Sequence, residues 1–106
     1  MNLTEVNGKL LEIANTLERL IPQLSKAELA YDLRFYDLLL HSGLGTIAAK
    51  EAEAKLTCQQ EGLLEPVQNM KGDVRLLYHQ KDCYIEISRN LRAIAHERDE
   101  IMMQGR

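Results

Sequence analysis

The chain has 106 residues, of which 45% are hydrophobic and 5% aromatic, and its formal net charge at neutral pH is −3. This length predicts a single domain, residues 1–106, whose core must be filled mainly by aliphatic side chains. The acidic balance disfavours a protein that depends on phosphate contacts with nucleic acid, because such proteins need a basic surface.

The start of the chain and its hydropathy predict a cytoplasmic protein without a membrane span. Glu5 and Glu12 interrupt the apolar residues near the start, unlike the apolar run of a secretory signal peptide. No segment approaches the roughly 18 apolar residues that a membrane-spanning helix needs. Two cysteines, Cys58 and Cys83, do not make a disulfide framework, so we expect both to be reduced.

The first arm, residues 3–42, has the apolar spacing of a helix that lies lengthwise against another helix. Spacings of three and four residues alternate over four heptads, at Leu3, Val6, Leu10, Ile13, Leu17, Leu20, Leu24, Ala27 and Tyr31. Thr4 is the expected N-cap. Pro22 lacks a backbone N–H and clashes with a carbonyl of the preceding turn. We therefore expect a kink or break that divides the arm into residues 3–21 and 22–42.

The second part of this arm is expected to start afresh with a wider apolar face. Ser25 and Glu28 have the spacing of a capping box, in which each side chain binds an unpaired amide. Gly43 and Gly45 favour a left-handed turn at the end of the arm. Between these signals the apolar phase changes, so that an additional element is needed to cover Leu29, Leu33, Tyr36 and Leu40, with Phe35, Leu38 and Leu39 beside them.

A short middle helix is predicted at residues 46–58. Thr46 is its expected N-cap, and the following residues are rich in Ala, Glu and Lys, which are strong helix formers. Because its apolar side chains are mostly small, this helix is expected to dock closely on the first arm and to supply the missing cover.

The long return helix is predicted at residues 66–103. Pro66 suits a first helical turn, and Gly72 is the one residue that could divide a short lead-in from the rest. A second seam follows at Met70, Leu77, Tyr84, Ile87, Leu91, Ile94, Arg98 and Ile101. Because the two arms have similar lengths, the predicted fold is all-α: an elongated, coiled-coil-like antiparallel helical hairpin with a short middle helix.

Two helices alone cannot close a core around faces of this width, so we expect self-association, most simply as a homodimer. An unidentified protein partner is expected to use the apolar surface that remains. The residues expected to line the oligomer or partner seam are Leu10, Ile13, Leu17, Leu20, Leu24, Tyr31, Leu77, Tyr84, Ile87, Leu91 and Ile94.

The patterns that could carry chemistry are incomplete. His79 and Cys83 are one helical turn apart and would offer a metal two ligands, whereas a structural zinc site needs four. Glu97 and Glu100 form one acidic pair of the kind that small all-helical nucleotide pyrophosphatases use in twos to hold magnesium, and the second pair is missing. The sequence predicts no catalytic residue, no metal site and no cofactor, and therefore no enzyme.

The return helix is nevertheless the most basic element. Its candidate nucleic-acid contacts are Arg75, Lys81, Arg89 and Arg92, which do not fall on one narrow stripe and have acidic residues among them. A solvated helix face with salt bridges is the simpler interpretation.

Three features follow one another along residues 27–103. Residues 28–31 give a tyrosine-bearing helix, Gly45 and Thr46 open a helix rich in Ala, Glu and Lys, and repeated arginines mark residues 75–94. In these features the chain resembles small helical proteins of unknown function that tailed bacteriophages and prophages encode. The resemblance implies a host-cytoplasm protein that assists phage DNA replication or recombination, and it carries over no catalytic residue. Residues 62–66 depart from the usual run into the last helix.

These observations favour a non-enzymatic protein–protein interaction module, a phage accessory protein that acts through contacts of its helix faces. The alternative is an accessory nucleic-acid-binding protein of phage replication or recombination that uses the basic residues of the last helix. An enzyme of the small all-helical pyrophosphatase type is a third hypothesis, against which the missing acidic pair argues.

Overall fold

The computed structural model describes residues 1–104 and consists of three α-helices. Helix α1 spans Leu3–His41, α2 spans Ile47–Gln60 and α3 spans Leu64–Gln104. No β-strand occurs among these described residues. The predicted all-α fold with a short middle helix is therefore confirmed.

The chain forms two compact units, which share the long helices. Unit 1 comprises Met1–Glu18 and the part of α3 that begins at Arg75, and unit 2 comprises Arg19–Val74. Because the start of α1 shares a unit with the later part of α3, the two long helices are antiparallel. This arrangement confirms the predicted hairpin.

The core of unit 1 is one apolar seam between α1 and α3. Val6, Ile13 and Leu17 of α1 are buried, at positions that alternate by heptad spacing. On α3 the seam contains the buried Ser88 and the half-buried Leu77, Tyr84 and Leu91.

The core of unit 2 forms where α2 packs against the two long helices. Ala54 and Cys58 of α2 and Val67 of α3 are buried. From α1, the half-buried Tyr31 and Phe35 stack with ring centroids 6.0 Å apart. The buried side chains of α2 are small, as the sequence predicts, so that its backbone can approach its neighbours closely.

Pro22 lies inside α1, and the helix continues through it. Of the two expectations for this position, the break between residues 21 and 22 is therefore wrong, and the kink stays a prediction. Proline removes one donor, but α1 has 39 residues, and its seams on both sides of the proline hold the helical backbone in place. The Ser25–Glu28 capping box is also wrong, because both residues lie within this continuous helix.

The cap of α1 is one that the sequence interpretation missed. The Asn2 Oδ1 atom accepts the N–H of Glu5 at 2.8 Å, and Asn2 Nδ2 donates to Glu5 Oε1 at 3.1 Å. Thr4, the expected N-cap, instead lies in the first turn. Thr46 is the N-cap of α2 as predicted, since its Oγ1 accepts the N–H of Ala49 at 3.2 Å.

The left-handed glycine lies in the turn after α2 and not in the turn after α1. Gly62 has φ of 76°, and it is the one residue with positive φ in the described part of the chain. Gly43 and Gly45 were expected to adopt that conformation and do not. Helix α3 then begins at Leu64, so that Pro66 lies in its first turn, where a missing N–H costs no helical hydrogen bond.

Candidate interaction surfaces

Most of the predicted seam is used within the chain itself. Ile13 and Leu17 are buried, and seven others of the predicted set are half-buried, namely Leu10, Leu20, Leu24, Tyr31, Leu77, Tyr84 and Leu91. The remaining two, Ile87 and Ile94, are exposed. The predicted seam thus divides into a core and a set of side chains that are open to solvent.

Four large side chains of α1 form an apolar row, here called the outer stripe, at Leu29, Leu33, Tyr36 and Leu40. They are between 58 and 81% exposed. Their spacings of four, three and four residues place them on one face of the helix. The expectation that α2 would cover this face is wrong. Because α1 does not restart after Pro22, the first heptad phase continues through Tyr31 and Leu38, and the outer stripe lies away from it.

A second row, here called the α3 stripe, lies in unit 1 at Leu76, Ile87, Ile94 and Ile101. These side chains are between 37 and 68% exposed. The predicted seam passed through Ile87 and Ile94, whereas the observed seam steps from Tyr84 to Ser88, which is 6% exposed. Sequence reasoning missed Ser88 because a small polar residue gives no apolar signal at a heptad position.

An ion pair fixes the end of α2 to α1 within unit 2. Arg34 donates to both carboxylate oxygens of Glu61, from Nη2 at 2.7 Å and from Nε at 2.9 Å. Arg34 Nη1 also donates to Asp37 Oδ2 at 3.1 Å. The hydrogen bond from Arg34 lowers the pKa of Glu61 and, reciprocally, raises the pKa of Arg34. In the sequence, the signal for this ion pair was the charge of Arg34, which stands at a heptad position seven residues after Ala27.

The thiol of Cys58 is buried next to this ion pair. Burial raises its pKa, the charge of Glu61 raises it further, and Arg34 opposes the shift. Burial also raises the pKa of Tyr31. Because the thiolate is the form that reacts and binds metals, a buried thiol with a raised pKa is less suited to either role. The exposed Cys83 Sγ lies 3.8 Å from His79 Nε2.

Within residues 1–104, no three His, Cys, Asp or Glu side chains are grouped in a way that could hold a metal ion. Glu97 and Glu100, the acidic pair, are both exposed, and Glu100 Oε1 lies 3.1 Å from Nε2 of His96. This part of the chain therefore does not bring a second acidic pair to the first.

The basic residues Arg75, Lys81, Arg89 and Arg92 are all exposed on α3. Arg89 Nη1 lies 3.7 Å from Glu86 Oε2, and Lys81 Nζ lies 5.6 Å from the centre of the Tyr78 ring. Two of the four are thus engaged with neighbours on their own helix.

None of the helices, over the residues described, is both long and apolar enough to cross a membrane. Comparisons of the chain with protein-family models, with curated proteins and with solved structures gave no match.

Proposed function

We propose that this protein is a non-enzymatic protein–protein interaction module whose partner binds the outer stripe of α1. The observation that carries the proposal is the exposure of four large apolar side chains in one row on a continuous helix. Contiguous apolar patches on soluble proteins commonly mark interaction sites. An apolar row with helical spacing suits a partner that packs an apolar helix or groove along it.

The charges beside the outer stripe favour a partner with basic flanks. Asp32 and Asp37 lie next to the stripe in sequence and are exposed. Asp37 contacts Arg34 and lies 3.3 Å from Nδ1 of His41, whereas Asp32 lines a pocket that it shares with Lys71. Complementary charges at the rim of an apolar contact contribute mainly to the association rate and to specificity.

Affinity capture from expressing cells tests the proposal with the variant Leu33→Asp. Leu11→Asp is a matched control, because Leu11 lies on the same helix, outside the stripe, and is 62% exposed against 64% for Leu33. We expect the wild type and Leu11→Asp to retain a partner protein that Leu33→Asp loses. Equal capture by all three would contradict the proposal.

The resemblance to phage proteins suggests that this partner belongs to phage replication or recombination. The nucleic-acid-binding alternative gains no support from the arginines of α3, because Arg89 is paired with Glu86 and acidic residues lie among the others.

A further inference from the structure

The α3 stripe belongs to a complete second heptad row along α3, distinct from the seam with α1. Gln80, Ile87, Ile94 and Ile101 recur every seven residues, and between them stand Leu76, Cys83, Asn90 and Glu97. All eight are exposed. A row with alternating spacings of three and four residues is the pattern of a helix that pairs with another helix. Because all eight are exposed, no other helix in the described part of unit 1 covers this row.

The row is self-complementary when a second copy of α3 runs antiparallel to the first. If Leu76 faces Ile101 of the second copy, then Cys83 faces Ile94, because the two chains run in opposite directions. The two-fold axis repeats both contacts, so that every member of the α3 stripe except Ile87 meets another apolar side chain. Ile87 lies beside Asn90 close to the axis.

The polar members of the row also match in this register. Gln80 faces Glu97 of the second copy, where an amide N–H can donate to a carboxylate. Gln80 further lines an open groove of about 270 Å³ between α1 and α3, together with Lys9 and Glu12, whose charged atoms lie 3.6 Å apart. The Glu97 carboxylate of the second copy therefore comes near a pair of opposite charges, of which Lys9 is the cation. At the edge of the contact, His79 flanks Glu100 of the second copy.

Other arrangements bring like charges together. A parallel pair would set Glu97 against Glu97 within the apolar row. A shift of the antiparallel register by one heptad brings Glu86 next to Glu86 of the second copy. A shift by one heptad the other way brings Glu86 next to Glu100 of the second copy. The same movements leave Ile101 or Leu76 without an apolar partner. Like charges that face each other across an interface select against the wrong pairing.

The proposed contact is long and narrow. Residues 76–101 extend over about 39 Å at the helical rise. A helix face of this length and about 10 Å width offers about 400 Å² from each copy, an area at the small end of specific complexes.

We propose that two copies of this chain form a two-fold symmetric dimer through the α3 stripe, with α3 antiparallel to α3 and Leu76 against Ile101 of the second copy. This proposal goes beyond binding of a different protein by the outer stripe and does not depend on it.

Disulfide trapping tests the orientation and the register. We expect Ile94→Cys to form an intermolecular disulfide with Cys83 of the second copy under mild oxidation. Ile101→Cys is the matched control, because it lies about 10 Å along the axis from that cysteine, beyond the reach of a disulfide. The wild-type Cys83 pair, about 16 Å apart along the axis, should not cross-link. A Cys83–Cys83 disulfide in the wild type, or trapping by Ile101→Cys in place of Ile94→Cys, would overturn the proposal.

Light scattering tests the dimer itself. The wild type should have twice the chain mass of 12.1 kDa, and Ile94→Glu should have the mass of one chain while it keeps the helical circular dichroism of the wild type. A wild-type monomer at high micromolar concentration, or a folded Ile94→Glu dimer, would contradict the proposal. Leu33→Asp should remain dimeric, so that loss of the partner and loss of the dimer are separate results.

Discussion

At the scale of single residues, the contact between Arg34 and Glu61 explains how a short helix with few large apolar side chains keeps its position. The pair joins α1 to the C-cap of α2, and Glu61 is the residue that ends that helix. Because both side chains are partly exposed, the contact mainly positions the end of α2 against α1 and adds little to the free energy of unfolding. Its direct consequence is a dependence of stability on pH.

We expect the Arg34–Glu61 contact to be lost in acid. Since Arg34 lowers the pKa of Glu61 in the folded chain below its ordinary value of 4.5, the stabilisation is present above pH 4.5 and disappears as the pH falls through the lowered value. Thermal unfolding over this range should show a smaller acid-induced decrease in Tm for Glu61→Gln than for the wild type. Glu51→Gln, at an exposed position of α2, is the control. Identical acid profiles of Glu61→Gln and wild type would show that the pair does not contribute.

The two cysteines should differ sharply in reactivity. Cys83 is exposed, whereas Cys58 is buried with a raised pKa, and thiolate formation and access both limit the reaction of a thiol. With an excess of a thiol reagent, the folded Ile94→Glu variant, in which no dimer contact shields Cys83, should react quickly at one site and the denatured protein at two. Cys83→Ser should remove the fast phase. A fast phase that persists in this variant would mean that the packing around Cys58 opens readily.

At the scale of the helices, two glycines lie inside long helices without any structural need for glycine. A Cβ atom added at Gly8 or Gly72 would have no neighbouring heavy atom within 4 Å. Gly8→Ala and Gly72→Ala should each stabilise the protein by up to about 1 kcal/mol, because glycine is the weaker helix former.

Urea unfolding measures this change, with Gly62→Ala as the contrasting variant. Gly62 also has free space around it but adopts φ of 76°, which alanine disfavours. We expect Gly62→Ala to destabilise the protein while the other two stabilise it. A decrease in stability for Gly8→Ala would contradict the explanation.

The sequence predicted the helices better than it predicted their faces. Strong heptad spacing identified both long helices and Thr46 identified the start of α2, because these signals depend on neighbours within a few residues. The predicted break at Pro22 gave too much weight to the hydrogen bond that proline removes, because packing along the rest of α1 outweighs that local cost. Ser88 was missed because a seam position follows from the geometry of the whole helix and not from the polarity of one residue.

At the scale of the whole molecule, the same helices serve two purposes. In unit 2, one face of α1 packs in the core while the outer stripe stays open, and in unit 1 α3 does the same with the α3 stripe. The sequence identified the residues of both stripes, but it assigned the outer stripe to contact with α2 and three members of the α3 stripe to the seam between the arms. The continuous heptad phase of each helix decides which of these apolar residues a single chain covers. Patterns within a few residues do not reveal that phase.

Site-specific photo-crosslinking in living cells tests whether the outer stripe binds another protein. The photoreactive amino acid p-benzoylphenylalanine replaces Tyr36 in the stripe or, as the control, Tyr78, which is exposed on α3. We expect a covalent adduct with a different protein from position 36 and none of that mass from position 78. No adduct from position 36, the same adduct from both positions, or an adduct with a second copy of this chain from position 36 would contradict it.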